Sequence, residues 1–398
     1  SVGLGWVISN EPFFRGATEV IQYLKLRGTW GRVGNSQISG RRFAYLATVK
    51  DTNDTSYQFG KNMGQTYGTT AIDEYAVDVT WEIADKTNIG LDMRLLNNKF
   101  NLQFDAFKES RKGIYLRRTS IPSYFGMINN PYGNIGKVEN KGIEMSVSYA
   151  NSWRDWSLSV MGNYSFNRNK VLEDDSTVAY PWQKTIGNKV DQRFGLIALG
   201  LFESPEEIAA APVQVGDTRP GDIRYKDLNG DGVIDDQDMG PIGGTETPEI
   251  VYGFGASARW KNLDVSVFLQ GTANTWRIVG SDVFIPGSGS GVLGNILTNY
   301  ADSWSPDSPR QDVFYPRFSY GSSLNNRQPS TWWKKSMSFL RVKTVEIGYT
   351  YKKCRFFVSG NNLFCFSNFK LWDPEVGAND GLIYPTMRSY SLGASVTF

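Results

Sequence analysis

The 398-residue sequence has no histidine and only two cysteines, Cys354 and Cys365. Without histidine, the commonest general base, the Ser-His-Asp triad and every His-ligated metal site are excluded. Two cysteines can make neither a zinc site nor a disulfide framework. They can form one bridge or remain two buried thiols. Charge of one sign is also lacking: 42 basic residues against 40 acidic ones leave +2. That balance gives no electrostatic reason to expect nucleic acid as a partner. No stretch of about 18 consecutive apolar residues occurs, so no transmembrane helix is expected. Strands that alternate in polarity can still cross a membrane without such a run.

What the chain has in excess is aromatics, with 12 Trp, 20 Tyr and 23 Phe, and glycine, at 41 residues. This composition favours strands joined by many turns. The first residues, Ser1–Trp6, read as a strand already in progress. They resemble neither a signal peptide nor a start site.

Period-2 alternation is the strongest pattern. Leu158, Val160, Gly162, Tyr164 and Phe166 fall on one face, opposite Ser159, Met161, Asn163 and Ser165. Phe100–Phe107, Gly142–Tyr149 and Leu263–Gln270 repeat it. Side chains flip face at each strand residue, so each segment has one apolar and one polar side. Eleven strands are expected, near 2–9, 22–33, 79–96, 99–110, 137–150, 156–168, 251–260, 263–271, 339–350, 354–360 and 389–398.

The connections alternate in length. Asn97-Asn98-Lys99, Asn151–Asp155, Lys261-Asn262 and Lys352-Lys353 are tight turns. Between them lie long segments, above all 168–250 and 272–338. Short turns at one end and long loops at the other predict an all-β fold: a transmembrane antiparallel barrel with periplasmic turns and extracellular loops. Eleven strands leave two open edges, which lipid does not tolerate, so further strands are expected from missing sequence or another chain. The polar faces, including Gln103, Asp105, Glu144, Asn163 and Gln270, then look into the lumen. The last strand alternates through Tyr390, Leu392, Ala394 and Val396 to Phe398, as in a barrel-assembly signal.

One segment has metal-ligand spacing. Asp227, Asn229, Asp231, the Val233 carbonyl, Asp235 and Asp238 occupy the oxygen positions of a calcium loop. Gly232 supplies the sharp turn, and Ile234 points inward. Position twelve is Asp rather than Glu, and no EF-hand helices flank the loop. A polar Asp/Asn/Gly turn is the competing reading. A structural Ca2+ here would stiffen a long loop.

Trp304, Trp332 and Trp333 are candidate substrate-binding residues; they could stack on a sugar or peptide, sit in an aromatic belt or pack the loop down. Trp81, Trp156 and Trp260 lie where girdle residues are expected. Glu206-Glu207 and Asp174-Asp175 read as loop charges, not as a glycosidase pair. Gly287–Gly291 lacks the Lys-Ser/Thr of a phosphate loop. No catalytic constellation emerges, and an enzyme is not expected.

Several motifs together resemble SusC/RagA-type TonB-dependent outer-membrane transporters. They are Gly221–Asp227 with Asn229–Gly232, Ile242-Gly243 and Pro248; Leu24–Gly28 with Gly34-Asn35; Thr80–Glu82; and Phe339–Lys343. Asn361–Leu363, Asp373–Glu375, Tyr384-Pro385 and Leu392–Phe398 complete the set. The resemblance spans essentially all of 1–398 and corresponds to the C-terminal half of such a barrel. It implies a plugged barrel of about 22 strands in the outer membrane of a Gram-negative bacterium. It also implies import of oligosaccharides or peptides, a SusD-like surface lipoprotein as lid, and energy from TonB–ExbB–ExbD through an N-terminal region and plug. Association of two such lidded barrels is a further implication. Two other readings stand beside it: a structural subunit of a larger outer-membrane assembly, and a secreted calcium-stabilised β-sandwich that binds glycans.

Overall fold

A computed structural model describes residues 1–36, 43–59, 65–75, 77–125, 127, 129–280, 284, 285, 287, 296–321, 323–377 and 380–397. Phe398 and residues 288–291, singled out in the sequence, lie outside these.

Eleven strands form one antiparallel sheet in which every neighbour in sequence is a neighbour in space. They are β1 (Val2–Val7), β2 (Ile21–Asn35), β3 (Glu82–Leu95), β4 (Phe100–Arg117), β5 (Tyr132–Trp153) and β6 (Trp156–Glu173). After a long loop come β7 (Ile250–Trp260), β8 (Leu263–Ala273), β9 (Phe339–Tyr351), β10 (Cys354–Ser367) and β11 (Ser389–Val396). The sheet is open, with β1 and β11 at its edges. These eleven strands lie in one sheet rather than in two packed face to face, so the β-sandwich reading falls.

Register turns the alternation into two continuous surfaces. Leu158, Ala258, Val265, Ile347, Val358 and Leu392 are consecutive partners across six strands. On the opposite face, Asp92, Gln103, Ser146, Asn163, Gly253, Gln270 and Arg341 make a polar row. The apolar surface is exposed, with Leu4 at 80%, Ile89 at 62% and Leu392 at 85%. An apolar patch this large and unburied marks an interaction surface.

The belt has visible limits. At the turn end, Trp156 stacks on Trp260 with ring centroids 5.9 Å apart. At the other end outward-facing residues change abruptly to charge: Trp30 is followed by Arg32, Ala106 by Lys108, and Phe166 by Arg168. From Trp156 to Phe166 the strand rises about 34 Å, or about 25 Å along the normal at a tilt of about 40°, the height of an outer-membrane apolar band. Above it, cross-strand ion pairs take over: Arg32–Asp85 at 2.6 Å, Lys108–Glu139 at 2.6 Å and Lys137–Glu173 at 3.1 Å. Trp81 packs over Gly34 at this upper end.

The tight turns lie where the spacing places them. Asn97, Asn98, Arg154, Lys261 and Lys352 adopt positive φ, which Asn tolerates best. Strands β4, β5, β6 and β10 run further into the long loops than expected. Both faces meet water beyond the belt, so alternation stops while the backbone ladder continues. A hairpin of Thr48–Phe59 with Gln65–Glu74 was also missed in the sequence, and the 3-10 turns Ile8–Asn10 and Pro12–Ala17 replace the end of the first expected strand. Cys354 and Cys365 are free. Eleven residues apart on β10, they are about 37 Å distant and cannot bridge.

Val358→Arg places a charge within the apolar belt and should cost about 2–4 kcal/mol of folding stability in bilayers. Ser359→Arg, on the opposite face beside Glu346, should cost far less. Urea unfolding in liposomes distinguishes them; equal costs would contradict the two-faced sheet.

Candidate functional site

The loop segments 174–249, 274–338 and 368–388 fold into a shared core. Leu196, Leu201, Ile223, Tyr225, Val279, Phe284, Trp304, Tyr315, Trp333, Met337 and Phe369 are all buried in it. Phe284 is the hub, with rings of Phe314, Tyr315, Trp333 and Trp372 around it at 5.4–6.4 Å. The loop aromatics therefore make up for the apolar core that the sheet, with its exposed faces, does not supply.

The Gly-Asp-Ile-Arg-Tyr stretch ties this core together. Asp222 is fully buried and accepts from Arg219 N (2.8 Å), Asn326 Nδ2 (2.7 Å) and Arg317 Nη2 (3.0 Å). Asn326 Oδ1 accepts from Ile223 N at 3.0 Å, and Asn325 Nδ2 donates to Ile223 O at 2.7 Å. Tyr225 OH donates to Asn325 O at 2.8 Å, and burial pushes its phenol well above the usual tyrosine value. Gly221 has φ +87°, and a Cβ there would stand 2.2 Å from the Trp304 ring. A second buried charge, Arg341, joins β9 to the last loop through Asp373 and Glu375.

The candidate tryptophans belong to this packing. Trp333 is 1% exposed and donates to Asn326 O at 2.7 Å; Trp304 is 7% exposed against Gly221. Trp332 is half-buried and donates to Phe314 O at 3.0 Å. Of the alternatives weighed for them, packing the loop down is the one this geometry carries. The paired acids are structural as well. Asp175 accepts from Thr119 N and Ser120 N, and Glu207 pairs with Arg224.

The open space lies elsewhere, in a feature that strand patterns do not reveal. A cavity of about 680 Å³ sits between the polar face of β4–β6 and the returning segment 185–194. Ile114, Leu116, Val138, Val171, Val190 and Phe194 give it an apolar wall. Glu109, Arg111, Lys137, Glu173, Asp174, Lys189 and Asp191 supply charges of both signs. Bulges at Lys112–Tyr115 and Lys137–Val138 turn this wall inward. At Gly136 the wall comes close: a Cβ there would lie 2.5 Å from Leu116 Cδ1 and 3.0 Å from Ile114 Cβ. Glu249 anchors the covering segment, bound to Lys189 at 2.7 Å and doubly to Arg168 at 2.9 Å. The size and mixed lining suit a small polar molecule with apolar faces.

In the Asp227–Asp238 loop the side chains cap backbone. Asp227 accepts from Gly232 N (2.9 Å) and Gly230 N (2.6 Å), which hold its carboxyl below the usual carboxylate range. Asn229 accepts from Asp231 N, Asp231 from Val233 N, and Asp235 from Gln237 N. Asp238, fully buried, accepts from Leu228 N and Asp235 N. Ile234 is buried beneath the loop. Among the described residues no group of three or more acidic or Cys side chains is arranged to hold a metal ion.

An antiparallel meander with a lipid-height apolar belt, aromatic and charged borders and all long loops at one end defines a wall of an outer-membrane β-barrel. Residues 1–363 match the family model described as TonB dependent receptor-like, beta-barrel, and the chain belongs to that family. It is 28% identical over its whole length to TonB-dependent receptor P26 of Formosa agariphila, of which it covers 42%. It is 25% identical to TonB-dependent receptor SusC of Bacteroides thetaiotaomicron, again over the whole chain and 40% of that protein. The RagAB peptide importer in its open-open state superposes with a TM-score of 0.73 over the whole chain and 42% of the importer chain, at 19% identity. The chain thus spans about two-fifths of the length of these relatives. The resemblance to SusC/RagA-type transporters read from the motifs holds.

Asp222→Ala leaves Arg317 and Asn326 facing a buried gap, and should destabilise the loop core by about 3–5 kcal/mol. Hydrogen exchange should accelerate at 221–226 and 317–333 while the sheet amides stay protected. Unchanged exchange in those segments would remove Asp222 from its central role.

Proposed function

We propose that this protein supplies the barrel wall and extracellular loops of an energy-coupled outer-membrane importer of oligosaccharides or peptides. The observation that carries this reading is the 680 Å³ cavity held against the polar face by the loop core. Its charges are engaged in pairs such as Lys137–Glu173 and Lys189–Glu249. The sequence resemblance supports a SusD-like lipoprotein over the loops and coupling to TonB through regions beyond this chain.

Uptake of labelled oligosaccharides or peptides by cells carrying the full-length protein is the test. Deletion of the gene or collapse of the proton gradient should abolish it, and a surface lipoprotein should co-purify. Uptake that survives gradient collapse contradicts an energy-coupled importer. Val171→Trp, which fills the cavity from β6, should lower uptake several-fold with assembly intact. Unchanged uptake would place the cavity outside the route.

Calcium at the Asp227–Asp238 loop belongs to the same proposal. The oxygen spacing supports it, as does the approach of the Asp227 and Asp238 carboxyl groups. Binding would require Asp231 and Asp235 to release their present N–H partners. Calcium should then slow proteolysis within 227–238, and a chelator should restore it; cleavage indifferent to both rules the ion out.

A further inference from the structure

A second cavity, of about 460 Å³, lies at the loop end of β9 and β10 and shares no wall with the first. Its lining carries three lysines, Lys334, Lys335 and Lys370, against one carboxylate, Asp302. That carboxylate is already spent: Oδ1 accepts from Arg310 at 2.8 Å and Oδ2 from Phe314 N at 3.1 Å. Lys334 is spent too, donating to Ile242 O at 2.6 Å over the Trp276 ring. Lys335 differs. Its ammonium stands 4.5 Å over the Phe314 ring and has no hydrogen-bond acceptor or salt-bridge partner among the described residues. Burial lowers its proton affinity below that of an ordinary lysine, opposed by the more distant charge of Asp302. A half-buried ammonium with unspent donors is well placed to bind an anion. Lys370 and the Asn368 side chain are exposed on the same cavity and can reach the same guest.

We propose that this cavity is a subsite for an oxyanion, a carboxylate or a sulfate ester carried by the imported molecule. As a statement about substrate class it rests on the importer reading; as an anion site it stands on its own geometry. Lys335 and Lys370 supply charge, Asn368 a neutral donor, and Phe314 an apolar floor for the ring or chain that bears the anion.

The test uses the full-length protein in detergent, with glucuronate, glucose 6-sulfate and neutral glucose as probes in calorimetry. Glucuronate or glucose 6-sulfate should bind where glucose does not, and the stronger of the two tells carboxylate from sulfate. Lys335→Met, which keeps the apolar stem, should weaken that binding by about tenfold or more, and Lys335→Arg should retain most of it. In the unaltered protein the bound charged sugar should also protect Lys335 from amine acylation, read by mass spectrometry. Charged sugars that bind no better than glucose, or that leave Lys335 unprotected, overturn the subsite. Uptake separates the two readings. Energy-coupled uptake without charged-sugar binding leaves the importer and removes the subsite. Charged-sugar binding without uptake does the reverse.

Discussion

A hydrocarbon slab offers a peptide group no hydrogen bond, and everything in this chain follows from that constraint. The backbone must pair strand to strand without interruption across the membrane. Once the ladder is fixed, side chains alternate by geometry, and only a sequence apolar at every second position can present one face to lipid and the other to water. The row from Leu158 to Leu392 and the row from Asp92 to Arg341 are the two results of one register. A slip of one residue in any strand would exchange them.

The same constraint explains why stability is organised differently in the loops. The sheet buries little apolar surface against protein, so the long extracellular segments cannot rest on a central core and must build their own. They do so with rings around Phe284 and with buried charges held in ion pairs. Asp222 and Arg341 show the pattern. Each joins segments far apart in sequence, Asp222 to 317 and 326, Arg341 to 373. A buried ion pair adds little net stability over an apolar pair, yet it is intolerant of wrong partners. That intolerance specifies which loops meet, and with them the shape of the space between loops and barrel wall.

The barrel was legible in the sequence because lipid and water impose period 2, and all eleven strands of the sheet stand where alternation placed them. Strand ends were not legible. Beyond Ala106 and Phe166 both faces are wet, so Lys108–Lys112 and Arg168–Glu173 continue the ladder without the pattern. The site was legible in its composition only. Trp304, Trp332 and Trp333 were visible as aromatics in a loop, but the placement of Trp304 in a core depends on a partner as distant in sequence as Gly221. The cavity depends on two bulges and on where segment 185–194 returns, neither of which leaves a periodic trace. Lys335 looks like any surface lysine until Asp302 is seen to be committed to Arg310.

The central claim, that one face of this sheet meets lipid and the other water, is tested most directly along β6. Single spin labels at each position from Leu158 to Phe166, in protein reconstituted into bilayers, report collisions with oxygen and with a water-soluble relaxant. Labels at 158, 160, 162, 164 and 166 should favour oxygen, and those at 159, 161, 163 and 165 the aqueous reagent. Equal access of the aqueous reagent to both sets would contradict a membrane-spanning wall.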